Sequence, residues 1–145
     1  GDVHTRAHIY RAIIEGIGYA LREGKELSEK KSKVKITKLI VSGGGSQSDE
    51  AMQITADIFG MSAERPHTFE ASGLGAAINC FVGLGIYSGY DAAIEKMTRV
   101  GDVFEPNQST VELYDRLYKE VYKKMYKRMQ PLYRSIRDIT GYPKK

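Results

Sequence analysis

The stretch 34-VKITKLIVSGGGSQSDEAMQITADIFG-60 joins an apolar run to an amphipathic one through three consecutive glycines. Val34, Ile36, Leu39, Ile40 and Val41 are mostly β-branched and predict a strand over 34–42. From about Ser48 to Phe59, the residues Met52, Ile54, Thr55, Ile58 and Phe59 give the apolar positions of a helix, which Gly60 stops. Such a turn has two physical assets. Glycines carry no side chain, so a ligand can approach the backbone N–H groups. The start of a helix presents unpaired donors and the positive end of its dipole, which favours phosphate. Ser46, Gln47 and Ser48 add polar groups. Many strand-to-helix turns use glycine without any ligand, so these residues alone leave two readings level: a nucleotide cradle, or a bare turn.

Familiar nucleotide motifs do not decide it. A P-loop needs Lys followed by Ser or Thr after its last glycine, and nothing of that kind follows Gly45. Gly73-Leu74-Gly75 opens like a dinucleotide fingerprint, but Ile78 stands at the third glycine position and no strand precedes it. His4 and His8 lie one helical turn apart without a third ligand, and His67 is remote in sequence, so the histidines read as surface groups. No nucleophile elbow, HExxH or paired acid/base carboxylates are visible.

The remaining chain reads as alternating elements with no repeat, linker or internal boundary. Residues His4 to about Glu23 predict an amphipathic helix with Ile9, Ile13, Ile17 and Leu21 at spacing four, capped by Thr5 or Asp2 and ended by Gly24. Arg11 and Glu15 are placed to pair on its surface. Residues 25–33 read as a polar loop. Met61 to Pro66 reads as a short edge strand, because Pro66 must sit at an edge or an end. The segment 70-EASGLGAAINCFVGLGIY-87 reads as a buried helix packed through small residues, with Cys80 as a buried apolar group. Asp91 to Met97 reads as a short helix. After the loop Glu105-Pro106-Asn107, Ser109 or Thr110 is expected to cap a long helix from about Val111, which Pro131 ends or kinks. Tyr114, Tyr118, Tyr122 and Tyr126 recur there at spacing four, beside Leu113, Leu117, Val121 and Met125, and predict a packing face. Lysines interleaved with these aromatics keep a nucleic-acid surface open as the rival reading.

Composition narrows the class. With 145 residues, 41% of them hydrophobic, the chain can build one modest core. No apolar run nears the roughly 20 residues of a membrane helix, and no leader pattern is visible. One cysteine cannot make an internal disulfide, which fits a cytoplasmic location. The net charge of +4 is uneven: residues 112–145 carry ten Lys and Arg against four Asp and Glu. A chain opening at Gly1 suggests a piece of a longer protein.

Four segments in order resemble the C-terminal half of the FGGY carbohydrate kinases, the group of xylulokinases, gluconokinases, ribulokinases and glycerol kinases. They are 4-HTRAHIYRAIIEGIGYALRE-23, 42-SGGGSQSDEAMQITADIFGMSAERP-66, 70-EASGLGAAINCFVGLGIY-87 and 99-RVGDVFEPN-107. The resemblance implies an α/β fold: the helix-rich part of an actin-like (RNase H-like) ATPase domain with few strands, spanning 1–145 as the nucleotide-side domain. It implies ATP or ADP as ligand, held at Gly43, Gly44, Gly45, Ser46, Gln47 and Ser48, with Mg²⁺ serving the parent enzyme and no metal ligand or catalytic residue here. Glycerol kinases tend to carry asparagine where Ser48 stands, so backbone contacts to the nucleotide should dominate. The run Ser72 to Ala77 is expected to pack behind the turn without touching ligand, and Arg11 and Glu15 to be structural. The implied reaction is transfer of the ATP γ-phosphoryl group to a sugar hydroxyl. The base and sugar pocket would lie upstream, so the partners expected are the N-terminal portion of the kinase and its sugar, with no nucleic acid or membrane, and self-association is open. The alternative is a basic nucleic-acid or protein interaction module.

Overall fold

The computed structural model describes residues 3–142. Its centre is helix α2 (Asp49–Phe59), which has apolar residues on two sides. Met52 and Ala56 pack on a small sheet with Ala63, Leu39, Val41 and Phe104. Ile54 and Ile58 face the other way, into a cluster with Tyr19, Tyr114 and Tyr118. A helix with both faces covered is the middle layer, sheet on one side and helices on the other.

The sheet has three strands in the order β1-β2-β3. β1 (Leu39–Ile40) runs parallel to β2 (Ala63–Pro66), with Leu39 opposite Ala63. β3 (Val100–Phe104) is antiparallel to β2, with Ala63 opposite Phe104. β2 is therefore the central strand and not the expected edge. Pro66 is tolerated because it closes the strand, where the register with β3 is already broken. β1 is also shorter than the predicted 34–42. The reason is local: the Glu29 carboxylate accepts the Ile36 amide at 2.8 Å, which holds the segment before β1 against a helix rather than a strand.

That helix, α1 (Arg6–Ser32), runs nine residues past the predicted stop at Glu23. Residues 22–31 are strong helix formers laced by Arg22–Glu26 and Lys25–Glu29 pairs. Gly24 costs the helix about 1 kcal/mol but does not stop it. The true end is Lys33, left-handed at φ 60°, with its amide on the Glu29 carbonyl at 2.9 Å. At the start, the amide of Thr5 donates to His8 Nδ1 at 3.1 Å, so His8 helps to close the helix end. Asp2, the other expected cap, lies outside the described residues. The buried side of α1 is Gly18 and Tyr19. The predicted stripe of Ile9, Ile13, Ile17 and Leu21 faces outward, each more than half exposed.

α3 (Ala71–Gly83) packs on α4 (Tyr90–Met97). Ile78 is its one buried residue, so the expectation of a buried helix over 70–87 is corrected. Among the described residues no element covers its outer face, and Cys80 is exposed rather than buried. α5 (Gln108–Leu117) is capped by Asn107, whose Oδ1 accepts the Ser109 amide at 3.1 Å; neither Ser109 nor Thr110 is the cap. It continues through one π turn, Tyr118–Tyr122, into α6 (Lys123–Thr140). Pro131 lies inside α6 and neither ends it nor needs to, because this stretch is exposed and water can reach the carbonyl that loses its helical donor.

The tyrosine face packs as predicted at its start and then runs out. Tyr114 and Tyr118 are buried, Tyr122 is half-buried and Tyr126 is exposed. Tyr19 meets Tyr114, Tyr118 and Tyr122 at ring-centroid distances of 6.1, 5.9 and 5.2 Å. Spacing four drifts about 40° per step on an ordinary helix. The wider π turn offsets that drift, and Tyr118 and Tyr122 stack at 5.8 Å. Arg22 ties the layers together: it donates to the Ile58 carbonyl at 2.9 Å and to Asp115 at 2.6 Å, and lies 4.3 Å over the Tyr118 ring. No described helix is long and apolar enough to cross a membrane.

Candidate functional site

The glycine turn sits where β1 leaves the sheet. Val41 continues the ladder, its amide on the Glu64 carbonyl at 2.9 Å. Gly43 then turns the chain at φ 92°, a backbone state that favours glycine. Its amide donates to the Phe69 carbonyl at 3.1 Å, tying the turn to the segment before α3. A short 3₁₀ turn, Gly44–Gln47, follows. Ser46 is buried, and both its amide (3.1 Å) and its hydroxyl (2.7 Å) donate to the Gly43 carbonyl. Ser46 is thus a strut inside the turn and is not presented to a ligand.

Ser48 is committed as well. Its hydroxyl oxygen accepts the Ala51 amide at 3.2 Å and caps α2, and it lies 3.0 Å from Glu50. Asp49 and Glu50 fill the first turn of α2. These carboxylates occupy the positive end of the helix dipole, which makes it a poor place for phosphate. Gln47 is exposed.

What the turn leaves open is its middle. Among the described residues, no acceptor takes the amides of Gly44 or Gly45. A Cβ on either would meet nothing within 4 Å, so packing does not require glycine at these two positions. Gly43 and Gly44 border a cleft of about 270 Å³ with Ser42, Phe69, Glu70, Ala71 and Ser72. The first turn of α3 opens on that cleft, adding its own unpaired amides. Of the six predicted residues, the structure brings Gly43 and Gly44 to the cleft, leaves Gly45 and Gln47 near it, and places Ser46 and Ser48 in structural roles. Ala71 and Ser72 line the cleft although the small-residue run was expected to stay behind the turn. Phe69 was not singled out at all, and it contributes through its backbone carbonyl, a group no sequence pattern marks.

Beneath the turn lies Arg65 of β2. Its Nη1 donates to the Ser46 carbonyl at 2.9 Å and to Asp49 at 2.8 Å, and its Nε donates to Asp102 of β3 at 3.0 Å. Away from the cleft, Arg11 and Glu15 pair at 2.9 Å as expected, and both reach the Tyr114 hydroxyl. Burial first, and then the Glu15 carboxylate, pushes that hydroxyl's pKa above its ordinary value. These two residues join α1 to α5 and stand apart from the turn. No described His, Cys, Asp or Glu residues gather in threes to hold a metal ion.

Residues 1–84 match the C-terminal domain of the FGGY family of carbohydrate kinases. The chain belongs to that family. A sugar kinase of Escherichia coli (strain K12) named YgcE is 40% identical over 111 residues, which is 77% of this chain and 23% of that one. A xylulose kinase of Lactococcus lactis is 34% identical over 115 residues, covering 79% and 23%. A glycerol kinase of Pseudothermotoga lettingae is 39% identical over 115 residues, covering 77% and 23%. In three dimensions the chain is similar to the xylulose kinase of Rhodospirillum rubrum, with a TM-score of 0.76, 27% identity, and coverage of 91% of this chain and 26% of that one. The chain thus spans about a quarter of the length of its relatives. Its helix-rich build around a three-stranded sheet agrees with the C-terminal domain of an actin-like ATPase fold.

Proposed function

We propose that the chain is the nucleotide-side, C-terminal part of an ATP-dependent carbohydrate kinase. The observation that carries this is the free middle of the glycine turn. Gly44 and Gly45 have no packing reason to be glycine and no internal partner for their amides. Both facts make sense if a ligand lies against the backbone there. A cleft of about 270 Å³ is below the usual roughly 300–1,000 Å³ of a complete small-molecule site, so it holds one part of the nucleotide. The acidic first turn of α2 argues that this part is the adenosine side and not the terminal phosphates.

In this reading ATP supplies the γ-phosphoryl group for a sugar hydroxyl, in the cytoplasm, with Mg²⁺ screening its charge. The residues of this chain bind and orient. Gly43 to Gly45 offer backbone donors, Gln47 offers an exposed amide side chain, and Ser46 and Ser48 keep the turn in shape. The proton-accepting base, the sugar pocket and the Mg²⁺ ligands belong to the remaining portion of the kinase, which is the partner of this domain. The domain is assigned residues 1–145.

An NMR titration with ADP tests the site. The amides of Gly43, Gly44 and Gly45 should shift saturably, with Ser72 following. Saturable shifts confined to other parts of the chain would remove the assignment.

A further inference from the structure

We propose that Arg65 is the positioning residue of the glycine turn, holding it in its binding shape before nucleotide arrives; this rests on the nucleotide reading of the turn. Three separate elements meet at one guanidinium. The Ser46 carbonyl belongs to the turn, Asp49 to the start of α2, and Asp102 to β3. A planar group with five donors in fixed directions can satisfy three acceptors at once. Asp102 engages both Nε and Nη2, which fixes the plane of the group. Its cationic carbon lies 5.2 Å from the centroid of the Phe104 ring. The side chain is 19% exposed, so it is fixed in place rather than free in solvent.

The backbone is shaped around this contact. A Cβ on Gly101 would lie 2.9 Å from the Arg65 carbonyl oxygen and 3.2 Å from two atoms of Pro66. Glycine at 101 lets β3 approach β2 closely next to Asp102. The turn is then tied at both ends: Gly43 donates to the Phe69 carbonyl, and Ser46 accepts from Arg65. Gly44 and Gly45 span the gap between the ties. Two carboxylates neutralise Arg65, which makes it a poor phosphate ligand and a good fixture. A site preset in this way binds without first having to order its backbone.

The test has two arms on the full chain. In the nucleotide-free protein, Arg65→Met should speed hydrogen exchange at the Ser46 amide by at least about tenfold and shift the resonances of Gly43 to Ser46. Amides of the Tyr19 cluster should keep their wild-type exchange. In the second arm, ADP should bind about fivefold more weakly to the variant, because the turn must be ordered on binding. Arg65→Lys should not restore either property, since one ammonium cannot replace the fork. Asp102→Ala removes one anchor only and should fall between wild type and Arg65→Met. Unchanged exchange and shifts in Arg65→Met would overturn the proposal, as would full recovery by lysine. A wild-type chain that ignores ADP would instead end the nucleotide reading, and the first arm would still decide whether Arg65 holds the turn.

Discussion

Helices α1 and α2 cross where Gly18 faces Ile58, and that contact allows a sharp test of the packing. A Cβ built on Gly18 would lie 2.6 Å from Ile58 Cδ1, but 3.7 Å from Cγ2 and 3.8 Å from Cβ. One methyl group is the whole obstacle. Ile58 is fully buried, so it has little room to move away. Gly18→Ala gains about 1 kcal/mol of helix propensity and loses about 1–3 kcal/mol to overpacking. The net expectation is a loss of about 1 kcal/mol. Ile58→Val deletes that same Cδ1 and costs about 1 kcal/mol. In the double variant the new methyl fills the space that the old one vacates. Its stability should return to the wild-type value or slightly exceed it, against an additive expectation of about 2 kcal/mol lost. Urea unfolding followed by circular dichroism at 222 nm measures all four proteins. Additivity within about 0.5 kcal/mol would show that the helices do not meet at this point.

Two further outcomes follow from the tyrosine cluster. The Tyr19 hydroxyl is buried and has no hydrogen-bond partner among the described residues. Tyr19→Phe should therefore leave stability equal or raise it by up to about 1 kcal/mol, and a thermal melt lowered by several degrees would contradict that. Burial, followed by the Glu15 and Tyr114 charges, also pushes the Tyr19 pKa from its ordinary 10.0 up to about 12. The folded state holds this proton more tightly than the unfolded state. The resulting stability is complete below pH 10 and is lost as the pH rises towards 12. Urea midpoints should fall over that window, and midpoints that stay level would place Tyr19 in water.

The sequence pattern reports α2 and the turn well because their signals are local. Ser48, Gly60 and the apolar spacing between them act within one helix, and they appear where expected. The failures involve partners distant in sequence. The strand expected over 34–42 shrinks because Glu29 captures Ile36. β3 was not foreseen, since Val100, Gly101, Asp102 and Val103 are all exposed and carry no alternation of burial. The isoleucines of α1 gave a clear stripe, yet the face this chain buries is Gly18 and Tyr19, chosen by tyrosines about a hundred residues later. At the site, glycine chemistry announced Gly43 and Gly44. Nothing announced Arg65, because an arginine before a proline has no motif and its role exists only once β2, β3 and the turn are assembled.

The π turn at Tyr118–Tyr122 also sets how the chain tolerates a change in length. It accommodates one residue more than a regular turn would hold. Deleting a single residue there would restore an ordinary helix while turning everything beyond it by about 100° and drawing it in by about 1.5 Å. Met125, Leu132, Ile136 and Ile139 would then point in a new direction, with the composition of the terminal helix unaltered. A one-residue gap at this position is therefore a rotation of the whole C-terminal arm, and alignments that place it a few residues earlier or later describe a different surface.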